Sequence, residues 1–184
     1  MSNSWIYVDI GVLSGLVNLR ELRLSYNDII DIEPLRGLTR LEILALSGNE
    51  SLSDISALSE LTNLTSLYLY DTWISDLSPL AKMENLRILN FRRANVSDIS
   101  VLANMENLIR LHAQNNNIVD LSPLSGLGEL QEIWAQNNQI ETVEPLEPLG
   151  FLLFLGIEGN PVTDFSPLER HPYLEIIRYE RVIL

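Results

Sequence analysis

A period of 22 residues runs through nearly all of the 184-residue sequence. Seven ten-residue segments superpose without gaps, and their last residues are Asn27, Asn49, Thr72, Ala94, Asn116, Asn138 and Asn160. These residues lie 22 apart except for one step of 23, which reflects an added residue near Glu50 to Leu52. A unit this short cannot bury an apolar face alone, so neighbouring units must stack and share a core. The repeat therefore predicts a solenoid.

Each unit combines a short strand with a turn that often contains proline. Leu22 and Leu24 lie two apart, which places both on one side of a strand while the residues between them face the other side. The following half reads DIIDIEPLRGL or NIVDLSPLSGL in different units. It has too few residues and too much proline for an α-helix, so it predicts 3₁₀ turns or extended backbone.

Two polar columns accompany the leucines. The asparagine at the strand-to-turn corner predicts side-chain hydrogen bonds to backbone groups that a tight coil buries. A second column contains Asp9, Asp31, Asp54, Asp76, Asp98, Asp120 and Asp164. A stacked acid column is compatible with cation binding, but aspartate also accepts hydrogen bonds from N–H groups in turns, and we favour this second role.

The pattern L-x-x-L-x-L-x-x-N resembles the leucine-rich repeat family over residues 8 to about 179, and D-[IL]-S-P-L-x-x-L is most similar to the internalin type of bacterial surface and secreted proteins. The resemblance implies an α/β solenoid: a right-handed superhelix with a concave parallel β-sheet and a convex side of 3₁₀ or extended segments. It also implies protein recognition, often through the concave face. Internalin-like arrays usually carry a helical cap and a further domain, and neither pattern is visible in this sequence.

The repeat boundaries predict a single domain over residues 1–184. It comprises a partial repeat at 7–18, seven repeats at about 19–172 and a terminal strand at about 174–179. The first segment begins in mid-repeat at Tyr7, and His171 replaces a leucine or methionine near the other end. We interpret the chain as a fragment or a minimal array. An exposed terminal strand also makes a homodimer through one array end a possible partner arrangement.

Repeats three to six carry large side chains at the positions predicted to face outward from the strands, whereas repeats one, two and seven offer mainly small or acidic groups. Tyrosine, tryptophan and arginine dominate binding hot spots. The predicted partner-binding residues are Tyr68, Tyr70, Asp71, Trp73, Asn90, Arg92, Arg93, Arg110, His112, Gln114, Trp134 and Gln136.

Arg92 and Arg93 are adjacent in a unit that also lacks the corner asparagine. Ala94 replaces it there, and Thr72 replaces it in the preceding unit. Departures from a local rule tend to gather at functional sites, so we expect the arginines to meet carboxylates, carbonyls or sulfated groups of a partner. The alternative is a surface ion pair with Asp71, which contributes on the order of 0–1 kcal/mol.

Composition disfavours several other functions. The net charge of −13 repels phosphate backbones, so nucleic acid is not expected as a partner, and no apolar run reaches membrane-spanning length. The sequence has no cysteine and only two histidines, His112 and His171. It contains no phosphate-binding glycine motif and no compelling serine–histidine–acid order of a catalytic triad. We expect no enzyme activity, no catalytic residue, no metal and no cofactor, with His112 as a contact residue.

Three functions remain open. The first is an extracellular or cell-surface bacterial adhesion module that binds a protein through its concave face, although no signal peptide is visible in the sequence. The second is a cytoplasmic regulatory scaffold resembling phosphatase-binding leucine-rich repeat arrays. The third is a structural spacer between other domains.

Overall fold

The computed structural model describes residues 9–177, and within them eight short parallel strands form one sheet in chain order, β1 to β8. The strands are β1 (Glu21–Arg23), β2 (Ile43–Ala45), β3 (Ser66–Tyr68), β4 (Ile88–Asn90), β5 (Arg110–His112), β6 (Glu132–Trp134), β7 (Phe154–Gly156) and β8 (Glu175–Ile177). Tyr7, where the first partial repeat is predicted to begin, lies outside the described residues, as do Arg178 and Tyr179 of the predicted terminal strand.

A 3₁₀ helix precedes each strand and returns the chain to the start of the next one. These helices are η1 (Gly11–Gly15), η2 (Glu33–Leu35), η3 (Ser56–Leu58), η4 (Ser78–Leu80), η5 (Ser100–Asn104), η6 (Ser122–Leu124), η7 (Glu144–Leu146) and η8 (Ser166–Leu168). Five of them have proline at one of their first two positions, where its fixed φ fits and its missing N–H does no harm. The predicted α/β solenoid with 3₁₀ turns is confirmed.

One continuous hydrophobic core fills the space between the sheet and the 3₁₀ helices. The core side chain two residues after the strand centre varies in size along the array. Phe91 is fully buried in repeat four, and the same position is occupied by Ala113 and Ala135 in the next two repeats, both also buried. The large ring beside two small side chains keeps this layer filled, since protein interiors pack at nearly constant density.

The pairing of the last strand departs from the 22-residue spacing. Leu155 of β7 is aligned with Ile176 of β8, whereas the sequence pattern predicts Ile177 at that position. Leu174 and Ile176 lie two apart, and both are partly buried against the core, so a slip of one residue lets this apolar pair pack on it. The register therefore places Ile176 opposite Leu155, one residue earlier than the 22-residue spacing gives.

The corner asparagines form a ladder that connects successive turns. Asn138 accepts a hydrogen bond from Ile118 N at 3.0 Å, and its Nδ2 donates to Ala113 O at 2.9 Å and Ala135 O at 3.0 Å. Equivalent bonds are made by Asn49, Asn116 and Asn160. The predicted role of the column is confirmed, because each side chain satisfies buried backbone groups of two turns.

Repeat four interrupts this ladder. Ala94 has no side-chain oxygen to accept from Ile74 N, the amide that corresponds to Ile118 N, which donates to Asn138 of repeat six. In the preceding unit Thr72 donates its hydroxyl to Leu69 O at 2.6 Å and so retains part of the ladder.

We expect the substitution Ala94→Asn to raise the free energy of unfolding by about 1 kcal/mol, because a new amide would pair Ile74 N and donate to Leu69 O and Phe91 O. Urea unfolding followed by circular dichroism measures the change. The control is Ala94→Leu, which introduces a side chain of similar size to asparagine but without polar atoms. A midpoint no higher for the asparagine variant than for the leucine variant would contradict this account of the ladder.

The aspartate column serves the 3₁₀ helices. In each case a carboxylate oxygen accepts the backbone N–H two residues later, as Asp98 does from Ser100 N at 2.8 Å. The same bond is made by Asp9, Asp31, Asp54, Asp76, Asp120 and Asp164 at 2.7–2.8 Å. In repeat six Thr142 Oγ1 takes the equivalent place and accepts from Glu144 N at 3.1 Å. These turn contacts account for the column without a bound cation.

Acid should weaken the fold through these carboxylates. Hydrogen bonds from serine N–H and O–H groups hold the pKa values of four carboxyls below the ordinary value of 3.8; these are Asp54, Asp98, Asp120 and Asp164. The hydrogen bond from the serine backbone N–H lowers the pKa most in Asp54, Asp98 and Asp164. In Asp120 the hydrogen bond from the Ser122 hydroxyl lowers the pKa most.

A lowered folded-state pKa contributes stability that is fully present above the ordinary value and is lost as the pH falls through the folded value. We therefore expect the urea midpoint to drop below about pH 4. Asp98→Asn keeps the acceptor oxygen but cannot titrate, so its acid slope should be smaller. Equal slopes for the variant and the parent would exclude this carboxylate as a source of the pH dependence.

Candidate binding site on the sheet face

The outward side chains of the strands and of the corners that follow them form a surface that we call the sheet face. Its first row is set by the register of the sheet, which aligns Tyr68, Asn90, His112 and Trp134 on β3 to β6. Neighbouring strands lie about 4.8 Å apart, so each residue of the row lies beside the next one.

A second row lies just past the strands, and it contains Tyr70, Arg92, Gln114 and Gln136. Backbone hydrogen bonds from Asp71 N to Arg92 O and from Arg93 N to Gln114 O hold this part of neighbouring repeats in register, at 2.9 Å each. Eleven of the predicted contact residues lie on this face, while Trp73 lies in the turn beyond the corner. Their role in binding stays a prediction.

The cationic end of the sheet face is built around Tyr70, Asp71, Arg92 and Arg93. Both guanidinium groups approach the one carboxylate of Asp71, with nitrogen-to-oxygen distances of 3.6 Å. Arg92 also lies over the Tyr70 ring, 5.6 Å from its centroid. A separation of 3.6 Å is a charge contact rather than a hydrogen bond, so the guanidinium N–H groups stay free for other acceptors. Two cations against one carboxylate leave this end positively charged.

Arg93 occupies a backbone conformation that its side chain disfavours. Its φ is +52°, and the corresponding corners of the next two repeats use Asn115 and Asn137. Asparagine tolerates the left-handed region, whereas a longer side chain in it costs roughly 1 kcal/mol. Strained positions persist where the surrounding structure holds them and are common at binding sites.

The aromatic end of the sheet face is a stack that continues into repeat seven. The rings of His112 and Trp134 are nearly parallel, with centroids 6.0 Å apart, and those of Trp134 and Phe154 lie 4.1 Å apart. Phe154 was missed by the sequence analysis, which expected mainly small or acidic groups in repeat seven. It occupies the first position of β7, and following that position along the array would have found it.

Burial lowers the pKa of His112 below its ordinary value, and the positive charges of Arg110 and Arg92 add to this effect while Glu132 opposes it. His112 is therefore neutral near pH 7 and stacks as an uncharged ring. Arg110 itself donates to Glu132 Oε1 at 3.0 Å across neighbouring strands. The pair is exposed, so it contributes little to stability.

Two exposed aromatic side chains flank the cationic end. Trp73 is 68% exposed, the largest fraction for any tryptophan in the described part of the chain. Tyr26 places its ring edge-on to Tyr70, with centroids 6.3 Å apart. Tyr26 was not among the predicted contact residues, although it shares the corner column with Asp71 and Arg93 and also has a positive φ.

Residues 9–177 contain no group of three His, Cys, Asp or Glu side chains placed to hold a metal ion. In the same range no helix has the length and apolar character needed to cross a membrane.

A family profile described as Leucine Rich repeats (2 copies) matches residues 17–60, 62–104 and 106–148. No curated protein matches the sequence.

Solved structures extend the similarity to almost the whole chain. An internalin C2 of Listeria monocytogenes is 36% identical, with a TM-score of 0.88 over 91% of this chain and 74% of that one. The internalin inlF of the same organism is 31% identical, with a TM-score of 0.90 over 94% of this chain and 53% of its own length.

A third structure is similar in fold alone. It is the leucine-rich repeat ectodomain of the plant membrane receptor kinase GASSHO1/SCHENGEN3 from Arabidopsis thaliana, in complex with CASPARIAN STRIP INTEGRITY FACTOR 2. It is 24% identical, with a TM-score of 0.82 over 94% of this chain and 22% of that one.

Proposed function

Because this chain belongs to the leucine-rich repeat family and is of the internalin-like type, we propose that it recognises a partner protein through the sheet face. Membership in this family of binding modules agrees with the prediction of a non-enzymatic protein. The partner contacts that we propose are the twelve predicted residues, extended by Tyr26 and Phe154. The single observation that carries the proposal is the cationic end of the sheet face.

Three features of that end point to a partner. Arg93 keeps a disfavoured backbone conformation where the next two repeats use asparagine. Both arginines contact Asp71 at a distance that leaves their N–H groups free. The adjoining Tyr70 ring and the exposed Trp73 offer large contact area with little loss of rotamer freedom. Their chemistry suits a partner that presents carboxylates next to an apolar side chain.

We also propose that the protein acts at the bacterial surface or after secretion. This part rests on the similarity to two Listeria internalins, of which the chain covers 74% and 53%. A cytoplasmic scaffold would instead bind a protein from the cell lysate. A spacer would retain no protein from either the surface extract or the lysate. The source of the partner therefore separates the three functions that the sequence leaves open.

We expect the double variant Arg92→Gln/Arg93→Asn to lose its partner while it keeps its fold. Gln114 and Asn115 occupy the same two positions in repeat five, so the substitutions are already compatible with the coil. Loss of two interface arginines should weaken binding at least about tenfold. The measurement is retention of surface-extract and lysate proteins on immobilised chain, followed by the dissociation constant of the purified partner.

The matched control is Arg36→Gln/Arg170→Gln, which makes the same charge change on the side of the 3₁₀ helices. Arg36 pairs with Glu33 there, and Arg170 lies near Glu147. Unfolding in urea should give the cationic-end variant a midpoint equal to or above that of the parent, because asparagine relieves the strain at residue 93. Equal partner retention by both double variants would refute the proposed face.

A further inference from the structure

Unpaired polar atoms gather at the aromatic end of the sheet face. Among the described residues, five buried side-chain oxygen or nitrogen atoms have no hydrogen-bond partner. Four of them lie together on repeats five to seven: Gln114 Oε1, Gln136 Oε1, Glu158 Oε2 and Trp134 Nε1. The fifth, Ser47 Oγ, belongs to repeat two of the same row. Buried polar atoms are paired in the great majority of cases, so a cluster of four is a candidate ligand site.

Three of these atoms are acceptors in one line. Gln114, Gln136 and Glu158 occupy the same position in successive repeats, since Asn115 N donates to Gln136 O and Asn137 N to Glu158 O. They are therefore separated by about one strand spacing each, near 4.8 Å. Glutamine can present either end of its amide, but the carboxylate of Glu158 can only accept, so the line favours a ligand that donates.

Gln136 is the central and most enclosed member of the line. Only 7% of its surface is exposed. Its amide lies directly over the Cα of Gly156, where an added Cβ would come within 2.2 Å of Nε2 and 3.0 Å of Oε1. Glycine at this position of β7 is thus what leaves room for the side chain. Trp134 is the residue that β6 aligns with Gly156, so it lies on the strand next to this amide.

From these contacts we propose that Gln114, Gln136 and Glu158 form a subsite for an arginine side chain of the partner. A guanidinium group supplies several N–H donors in one plane, carries the charge that complements Glu158, and packs well beside aromatic rings. The donor Trp134 Nε1 then serves the backbone carbonyl of the same partner residue. The subsite deepens the proposed function, because it assigns a second charge to the recognised epitope.

The two ends of the sheet face then have opposite preferences. Arg92 on repeat four attracts an acidic group, and Gln136 on repeat six lies two strands away, about 10 Å along the array. A partner that presents an acid and an arginine at this separation fits in one orientation only. Complementary charges of this kind select the partner and fix its register more than they raise affinity.

The test uses a small probe instead of the unidentified partner. N-acetyl-arginine N-methylamide is titrated into ¹⁵N-labelled chain, and the indole N–H resonance of Trp134 is followed after assignment with Trp134→Phe. We expect a saturable shift with a dissociation constant on the order of millimolar. The citrulline analogue has the same shape without the charge and should cause at most a small shift. An equal shift with citrulline, or none with arginine, overturns the subsite.

Two variants test the residues. Glu158→Gln removes the charge but keeps an acceptor, and it should weaken arginine binding roughly threefold to tenfold. Gly156→Ala should displace Gln136 and abolish the shift without altering any charge. Glu169→Gln, a carboxylate beyond η8, is the matched control and should bind the probe as the parent does. Unchanged probe binding in both test variants also overturns the proposal.

Failure here is distinguishable from failure of the proposed function. Probe binding depends on repeats five to seven alone, whereas partner retention is tested at Arg92 and Arg93. If arginine binds but both double variants retain the partner equally, the subsite stands and the cationic end is not the recognition site. If the Arg92/Arg93 double variant loses the partner and the arginine probe never binds the parent chain, the cationic end is the recognition site and the subsite is refuted.

Discussion

Replacing Phe91 with alanine is expected to lower the free energy of unfolding by about 3–5 kcal/mol, the largest effect of any single substitution proposed for this chain. Phe91 is fully buried in the centre of the array. In the same layer its neighbour in repeat five, Ala113, is too small to fill the cavity that the ring would leave, and its neighbour in repeat three, Leu69, is itself fully buried in the core. The cost therefore includes both the lost burial and the unfilled space.

Phe151→Ala is the matched control, because the same side chain is deleted where it is 62% exposed. Its effect should stay below about 1 kcal/mol. Urea unfolding of both variants by circular dichroism measures the difference. A similar small loss in both would mean that the Phe91 layer relaxes around the deletion and that core packing at repeat four is loose.

Phe91→Ala also tests the cooperativity of the array. Each repeat contacts mainly its neighbours, so weakening the junction of repeats four and five can separate the unfolding of the two halves. Two transitions in urea, where the parent has one, would reveal this separation.

The second large effect is expected for Asn138→Ala, which should cost about 2–4 kcal/mol. Ala113 O keeps a bond from Asn116 Nδ2, and Ala135 O keeps one from Asn160 Nδ2. Ile118 N, however, loses its acceptor while it remains buried. An unpaired buried N–H group carries the full desolvation cost, and this accounts for most of the loss.

Asn117→Ala removes an exposed asparagine whose amide bonds Asn95 on the surface, and it should cost less than about 0.5 kcal/mol. The same urea measurement compares the two variants. Asn138→Ala recreates the arrangement that the natural sequence has at Ala94, so its sign should be opposite to that of Ala94→Asn. A loss no larger than that of Asn117→Ala would show that water replaces the amide at little cost.

Much of this fold was predictable because it repeats. The period of 22 residues locates strands β1 to β7, since a shift there would move the apolar side chains out of the shared core. Asn138 and Asp98 were placed correctly for the same reason: their types recur at one position, and each satisfies backbone groups within its own or an adjacent turn.

Other features were not predictable from the pattern. The slip that aligns Ile176 with Leu155 occurs where the spacing of apolar residues changes in the last strand. Phe154 joins the Trp134 stack from a strand position whose other occupants are not aromatic. Both depend on which neighbour each side chain meets across the sheet.

The sequence by itself determined the solenoid, its strand positions and its polar columns, because the same short-range preferences act in every repeat and reinforce one another. Only the tertiary structure decided how side chains of different repeats combine into a site. It placed the guanidinium groups of both arginines near the one carboxylate of Asp71, an ion pair that the sequence offered only as an alternative, and it enclosed Gln136 above Gly156. These contacts depend on side-chain rotamers and on the space left by neighbouring strands, which the spacing of residues along a chain does not specify.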